Sequence, residues 1–508
     1  MKIRVIAPIT NLKFLTSTPQ GYAEQAHPDT AISVVGLDKG PASVESQYED
    51  AVAAPHVVQR AVEAERDGMD AVIIDCMNDP GLQAAREAVT IPVLGAAQSA
   101  MLLASILAHK FSVVSTAARD VYPVELLIRR YGLKDKYAST RWVDIPVLDL
   151  DADPGALLAA LTVASAEAVK QDGAHAIVFG CTGMKGMAGA LQENLEAQGL
   201  DAIVIDPSLA ALKWAEILVN LGMTHSRLTY PLINISEYSE LSSASDPVPE
   251  IFGKNTNTPQ LHVLVPVVRG FRPEDWLEPL LEDYAGFARS STSVQAAPIQ
   301  SGPGTIENEV AVTQAVPEML RLARTAEQEG ASALIIDCMC DPSLDPAREA
   351  ASIPVVGPSQ TAAFLAASIA HRFSYLGTGS DMRTTFTNQM EAYGISSKLA
   401  SVRTTSMSVE EVETKPEALF EALLREAEKA VLEDGAHCLI LGCTGMIGTA
   451  VRLQEALLAR GIQVPVIEPP AAAVKMAEAL SDLKLLHSKM TYPLPPKKAL
   501  AGYTDLEI

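Results

Sequence analysis

The decapeptide AVIIDCMNDP, residues 71–80, returns as ALIIDCMCDP at residues 333–342. The offset is 262, and under it 16 of the 23 positions from Ala71 to Val93 are identical to those from Ala333 to Val355. The same offset carries Gly40-Pro41-Ala42-Ser43-Val44-Glu45 onto Gly302-Pro303-Gly304-Thr305-Ile306-Glu307. It also carries Gly180-Cys181-Thr182-Gly183-Met184 onto Gly442-Cys443-Thr444-Gly445-Met446, and Thr229-Tyr230-Pro231 onto Thr491-Tyr492-Pro493. A repeat on this scale is a tandem duplication of one domain. The expected organisation is a first copy over 1–232, a linker over 233–259 rich in Ser, Asn, Pro and Glu, a second copy over 260–494 and a tail over 495–508.

A weaker repeat lies inside each copy. The run from Asp67-Gly68 to Cys76 resembles that from Asp172-Gly173 to Cys181, 105 residues on, and the second copy repeats the relation between Glu329-Gly330 to Cys338 and Asp434-Gly435 to Cys443. Each unit reads as a helix closed by an acidic residue and a left-handed Gly, a buried aliphatic strand, then Cys. Helices are expected over 53–66, 82–89, 157–170 and 184–198. Strands are expected over 3–7, 32–36, 91–95, 111–115 and 202–205. This alternation predicts an α/β fold with mainly parallel sheets, as two repeated units each made of two pseudo-symmetric subdomains.

The chain has 508 residues, with 39 Lys and Arg against 62 Asp and Glu, a net charge of −23. So acidic a protein lacks the attraction that drives binding to nucleic acid or anionic membranes. No signal peptide and no run of about 18 apolar residues is visible. A soluble, cytoplasmic protein is therefore expected, its six cysteines reduced rather than paired.

Ligands of open α/β sheets sit beyond the carboxyl ends of strands. Cys76 and Cys181 occupy that place in the first copy, as do Cys338 and Cys443 in the second, so each pair is expected on opposite walls of one cleft. A helix start is expected just after each cysteine, where its N–H groups and dipole would favour a thiolate. Two opposed thiols suit inversion of a carbon acid, one removing the α-proton as base and the other returning one as acid, with no metal or cofactor.

The spacing of Gly40-Pro41-x-Ser43-Val44-Glu45, Asp75-Cys76-x-x-Asp79-Pro80, Arg86-Glu87, Pro92-Val93-x-Gly95 and Gly180-Cys181-Thr182-Gly183-Met184 resembles the hydantoin racemase branch of the aspartate/glutamate racemase superfamily. Both copies carry it. The resemblance implies a cofactor-independent racemase or epimerase of a hydantoin-type or amino-acid-type carbon acid, with Cys76, Cys181, Cys338 and Cys443 as acid/base groups. It further implies a substrate site lined by Pro8, Thr10, Ser43, Met77, Asn78, Ser115, Thr116, Thr182 and Gly183. In the second copy the corresponding set is Pro266, Thr305, Met339, Cys340, Thr378, Thr444 and Gly445. The partner implied is a small molecule, anionic or a cyclic amide. Self-association into a homo-oligomer is a further expectation, resting on how common symmetric assemblies are.

Other readings stay open at this point. A strand-end cysteine is often a small buried hydrophobe, and Cys340 and Cys438, taken alone, read as packing residues. A cysteine-dependent cis-trans isomerase or decarboxylase would use the same scaffold, and a non-catalytic module for small anions would use the same cleft. No Cys-x-x-Cys or His-Glu-x-x-His spacing points to zinc. Lys185 faces Ile447 in the other copy, which argues against a required lysine. Asp75 and Asp337, directly before cysteines, are expected either to tune the thiol pKa, which a carboxylate there raises, or to hold loop backbone.

Overall fold

The computed structural model describes residues 1–234, 250–270, 272–379 and 382–496; of residues 12–17 only the backbone is described. Parts of the expected linker (235–249) and tail (497–508) lie outside the described residues. The chain forms two units, residues 1–225 with 230–256, and residues 226–229 with 257–508.

In the first unit, β1 (Lys2–Ile6), β2 (Ala31–Val35), β3 (Ala71–Ile74) and β4 (Val93–Gly95) pair in parallel in the order β4-β3-β1-β2. A second parallel sheet has β5 (Phe111–Ser115), β6 (Tyr137–Trp142), β7 (Ala176–Phe179) and β8 (Ile203–Ile205) in the order β6-β5-β7-β8. The two orders match strand for strand, so β1 and β5, and β3 and β7, are counterparts in two related halves. The central strands are aliphatic and buried on both faces, which their composition requires once helices cover both sides.

Two strands of the first unit were not expected, the edge strand β6 and a short strand β9 (Ile251–Phe252). β9 lies within the presumed linker, yet it pairs antiparallel with β2 and extends the first sheet to five strands.

The second unit repeats the plan. β10 (Gln260–Val265), β11 (Ser293–Pro298), β12 (Ala333–Ile336) and β13 (Val355–Val356) form one sheet in the order β11-β10-β12-β13. β14 (Phe373–Gly377), β15 (Leu399–Thr404), β16 (Cys438–Leu441) and β17 (Val466–Ile467) form the other in the order β15-β14-β16-β17. Among the described residues no helix is long and apolar enough to cross a membrane.

Three of the four expected helices start elsewhere than expected, and the one expected from Leu82 starts there. The first long one runs Gln47–Arg66, beginning six residues earlier than expected, because Ser46 caps it by accepting from the Glu49 N–H. The next runs Leu82–Ala88 and opens from Gly81 in the left-handed region, with no side-chain cap. The helix before β7 spans Pro154–Asp172 and closes on Gly173 at φ 74°, the left-handed cap that the sequence signalled. After Cys181 comes only a 3-10 turn, Thr182–Met184, and the α-helix begins at Ala188.

The repeated Arg and Tyr have a structural role. Arg86 is fully buried and donates to Val93 O at 3.0 Å, Gln98 Oε1 at 2.6 Å and Tyr230 OH at 3.1 Å. Arg348 does the same to Val355 O, Gln360 Oε1 and Tyr492 OH. The side chain thus ties β4, the helix that follows it and the end of the copy to one point. Arg86→Leu should destabilise the first unit by about 3 kcal/mol, since three partners lose a buried donor at once. Denaturant unfolding checks this, and an unmoved transition would contradict the role.

Candidate active site

The carboxyl ends of β1, β3, β5 and β7 converge on one cleft in the first unit. Its walls are Ala7 to Ile9 after β1, Asp75 to Asn78 after β3, Ser115 and Thr116 at the end of β5, and Gly180 to Gly183 after β7. These are the crevices where the chain turns from one neighbour of a central strand to the other, in both halves. Gly180 is required there, because a Cβ would stand 2.6 Å from the Ser115 Cα on the adjacent strand. The second cleft is built alike from Val265 to Val267, Asp337 with Cys338, and Cys443 to Gly445.

Both thiols of each pair line their cleft and are partly exposed to it. Of the residues expected to bind substrate, Pro8, Met77, Asn78, Ser115, Thr116, Thr182 and Gly183 line the first cleft, and Pro266, Thr305, Thr444 and Gly445 line the second. Thr10, Ser43, Met339, Cys340 and Thr378 are not among the lining residues. Thr10 instead donates to Pro41 O, and Ser43 to Glu45 Oε1.

The expected helix dipole at each thiol is corrected by the structure. No α-helix begins at either cysteine of the first copy, because Gly81 and Gly186 both take positive φ and delay it. The sulfurs meet single N–H groups two residues on: Gly183 donates to Cys181 Sγ at 3.3 Å, and the Asn78 N–H serves Cys76. Burial outweighs these donors. It pushes Cys181 up to about 12, with Asp75, Asp120 and Glu45 adding in the same direction, and Cys443 likewise to about 12. Cys76 is also raised well above the usual thiol range by burial, then by Cys181 across the cleft and by Asp50 and Asp79. Cys338 is raised by its hydrogen bond with the Cys340 thiol and by burial.

Asp75 sits behind the first cysteine, accepting at Oδ1 from Tyr22 OH at 3.0 Å and from Ser208 Oγ at 2.8 Å. Asp337 accepts from Tyr284 OH at 2.8 Å. The Thr182 hydroxyl donates across the cleft to Asp75 O at 3.1 Å, joining the two halves.

Several groups that the sequence reading left out of the site line the clefts. In the first cleft they are Lys185 and Thr18, joined at 2.6 Å, and Asp120, which accepts from Ser115, Thr116 and the Ala117 N–H. In the second they are Arg272, Trp276, Asp283 and Glu413. Among the described residues no group of three or more His, Cys, Asp and Glu could hold a metal ion.

A cleft between two related α/β halves, with one cysteine from each, defines the class of protein. The chain belongs to the Asp/Glu/Hydantoin racemase family, whose sequence profile matches residues 3–215 and again 280–477. It is 37% identical over 259 residues to the hydantoin racemase of Pseudomonas sp. (strain NS671), covering 51% of this chain and 99% of that protein. It is 36% identical over 228 residues to the hydantoin racemase of Paenarthrobacter aurescens, covering 45% of this chain and 94% of that one. Among solved structures it resembles an allantoin racemase from Klebsiella pneumoniae, at 35% identity and TM-score 0.42, covering 44% of this chain and 89% of that one.

A raised pKa leaves little thiolate at neutral pH, and only the thiolate is alkylated. Iodoacetamide labelling of Cys181 and Cys443 should therefore run slower than that of a free thiol at pH 7. It should rise about tenfold per pH unit up to at least pH 10. Peptide mass spectrometry reads this out, and a plateau below pH 9 would contradict it.

Proposed function

We propose that each copy is a cofactor-independent racemase acting on a carbon acid of hydantoin type, with two sites per chain. The observation that carries the reading is the pair of thiols, one from each related half, lining one cleft in both copies. A proton held next to a carbonyl can leave toward one thiolate and return from the opposite thiol, which inverts the carbon and leaves the two sulfurs with exchanged protonation. The reverse reaction uses the same groups in the opposite roles. Related halves suit this task, since each enantiomer must meet a base and an acid in equivalent settings. The N–H groups of Asn78 and Gly183, aimed at the sulfurs, stabilise whichever thiol is anionic. The match to hydantoin racemases over nearly their whole length supports the substrate class.

Burial raises both thiols, so the basic form is scarce at neutral pH in the free enzyme. The sign follows: kcat/KM should climb with pH from 7 to 10 as thiolate forms. The primary test is α-deuterium incorporation from D2O into 5-substituted hydantoins, with polarimetry alongside. Exchange with loss of rotation is expected. Cys76→Ser with Cys338→Ser should lower it by about a thousandfold or more, whereas either substitution alone should leave the other copy turning over. Full exchange in the double variant would sink the mechanism.

A further inference from the structure

We propose that the two clefts divide this reaction between two substrate classes. The first copy takes substrates that carry a carboxylate, paired by Lys185, and the second takes uncharged, bulkier ones. The inference rests on the racemase reading above and adds the substrate class of each site.

In the first cleft Lys185 reaches in from the turn after Cys181, and its Nζ donates to Thr18 Oγ1 at 2.6 Å. An ammonium has three donors, and among the described residues Lys185 forms no ion pair. The two carboxylates lining the same cleft are already engaged. Asp75 holds the Tyr22 and Ser208 hydroxyls, and Asp120 holds Ser115, Thr116 and the Ala117 N–H. The cation that remains lines the same cleft as Cys76 and Cys181, and a substrate carboxylate bound there would complete it.

The second cleft keeps Asp337 engaged by Tyr284 but differs in its cation and in its further carboxylates. Ile447 stands where the first copy has Lys185. Its cation is Arg272, brought in by a loop four residues longer, since 18 positions separate Pro266 from Tyr284 against 14 between Pro8 and Tyr22. That guanidinium is spent within the protein. It donates to both Glu413 oxygens at 2.6 to 3.1 Å and to Gly304 O at 3.0 Å, and it lies over the Trp276 ring at 5.1 Å. Arg272 and Glu413 therefore cancel, and Asp283 adds a further carboxylate to the wall. Trp276, Pro279 and Leu280 supply an apolar face, and the cavity holds about 330 Å³ against about 80 Å³ in the first cleft. A substrate carboxylate brought into this site would meet Asp283 and, among the described residues that line it, no open cation.

The test separates the copies within the full chain. Cys338→Ser with Cys443→Ser leaves the first site alone, and Cys76→Ser with Cys181→Ser leaves the second. The probes are hydantoins substituted at C5 with carboxymethyl, with its primary amide of the same shape, and with benzyl, followed by α-proton exchange in D2O. The first site should favour the acid over the amide, and the second the amide and benzyl compounds over the acid. In the first-site chain Lys185→Met should lower the acid-to-amide ratio of kcat/KM about tenfold or more, and Lys185→Arg should restore most of it. Equal ratios in the two sites, or a ratio indifferent to Lys185→Met, would overturn the division and leave the racemase reading intact. An intact chain that exchanges none of the three probes would overturn that reading, and the division with it.

Discussion

A buried carboxylate at the start of a buried helix fixes the geometry of each copy. Asp79 is 3% exposed, and its oxygens accept the N–H groups of Ala97 and Gln98, at the start of the helix Ala96–Leu107, together with Tyr131 OH. Every residue of that helix is buried, so these N–H groups have no water to turn to, and the helix start is also where a negative charge is best placed. The reach requires φ 49° at Asp79 and no side chain at Gly95, where a Cβ would lie 2.4 Å from the carboxylate. The turn from Cys76 to Asp79 is closed by the Asp79 N–H on Cys76 O, so the capping carboxylate also sets where the thiol stands. Asp341 repeats the arrangement with Ser359, Gln360 and Tyr393, and burial pushes it up to about 6.

Around this shared frame the copies have changed what faces the cleft. The Ser115 to Asp120 network of the first copy has no equivalent in the second, where Gly377 and Met382 occupy those positions and the Phe386 ring lies beside Gly377. Ser208 behind Asp75 becomes Pro470, leaving the Asp337 carboxylate with Tyr284, while the Thr444 hydroxyl donates to Asp337 O. The capping carboxylate, the buried arginine and the four thiols are retained. The differences collect at the carboxyl ends of strands and at the helix starts and turns beyond them, where a change alters the surface shown to a ligand while the central strands keep their packing.

Much of the fold was legible because it rests on periodic burial and repetition. Four aliphatic runs ending in Cys, two of them 105 residues from the other two, were enough to fix parallel strands and the place of the thiols. The edge strand β6, YASTRW, was invisible because half-exposed polar residues carry no apolar pattern. The helix start after Cys181 was misplaced since Thr182 to Met184 closes a single 3-10 turn before Gly186 reverses the chain, whereas the start at Leu82 after Cys76 was read correctly. Of the site, the cysteines and their flanks could be read, while Lys185 was set aside because Ile447 faces it. That argument assumed two copies with one task. Arg272, Trp276 and Glu413 come from segments with no counterpart motif, and only folding brings them together.

The strand β9 bears on how the two copies could ever be separated. Beyond its pairing with β2, Gly253, Lys254 and Asn255 donate their N–H groups to Thr30, Ala23 and Ala26, so residues 250–256 are bound into the first unit along their length. They cover the open edge of its first sheet, the kind of surface on which foreign strands add and aggregates start. The second unit's counterpart of β2, β11, stands at the end of its sheet among the described residues and runs out at Pro298. A gene divided where the internal repeat ends, at residue 232, would yield a first half with a naked sheet edge. The natural seam lies after residue 256, inside what composition alone marks as a spacer.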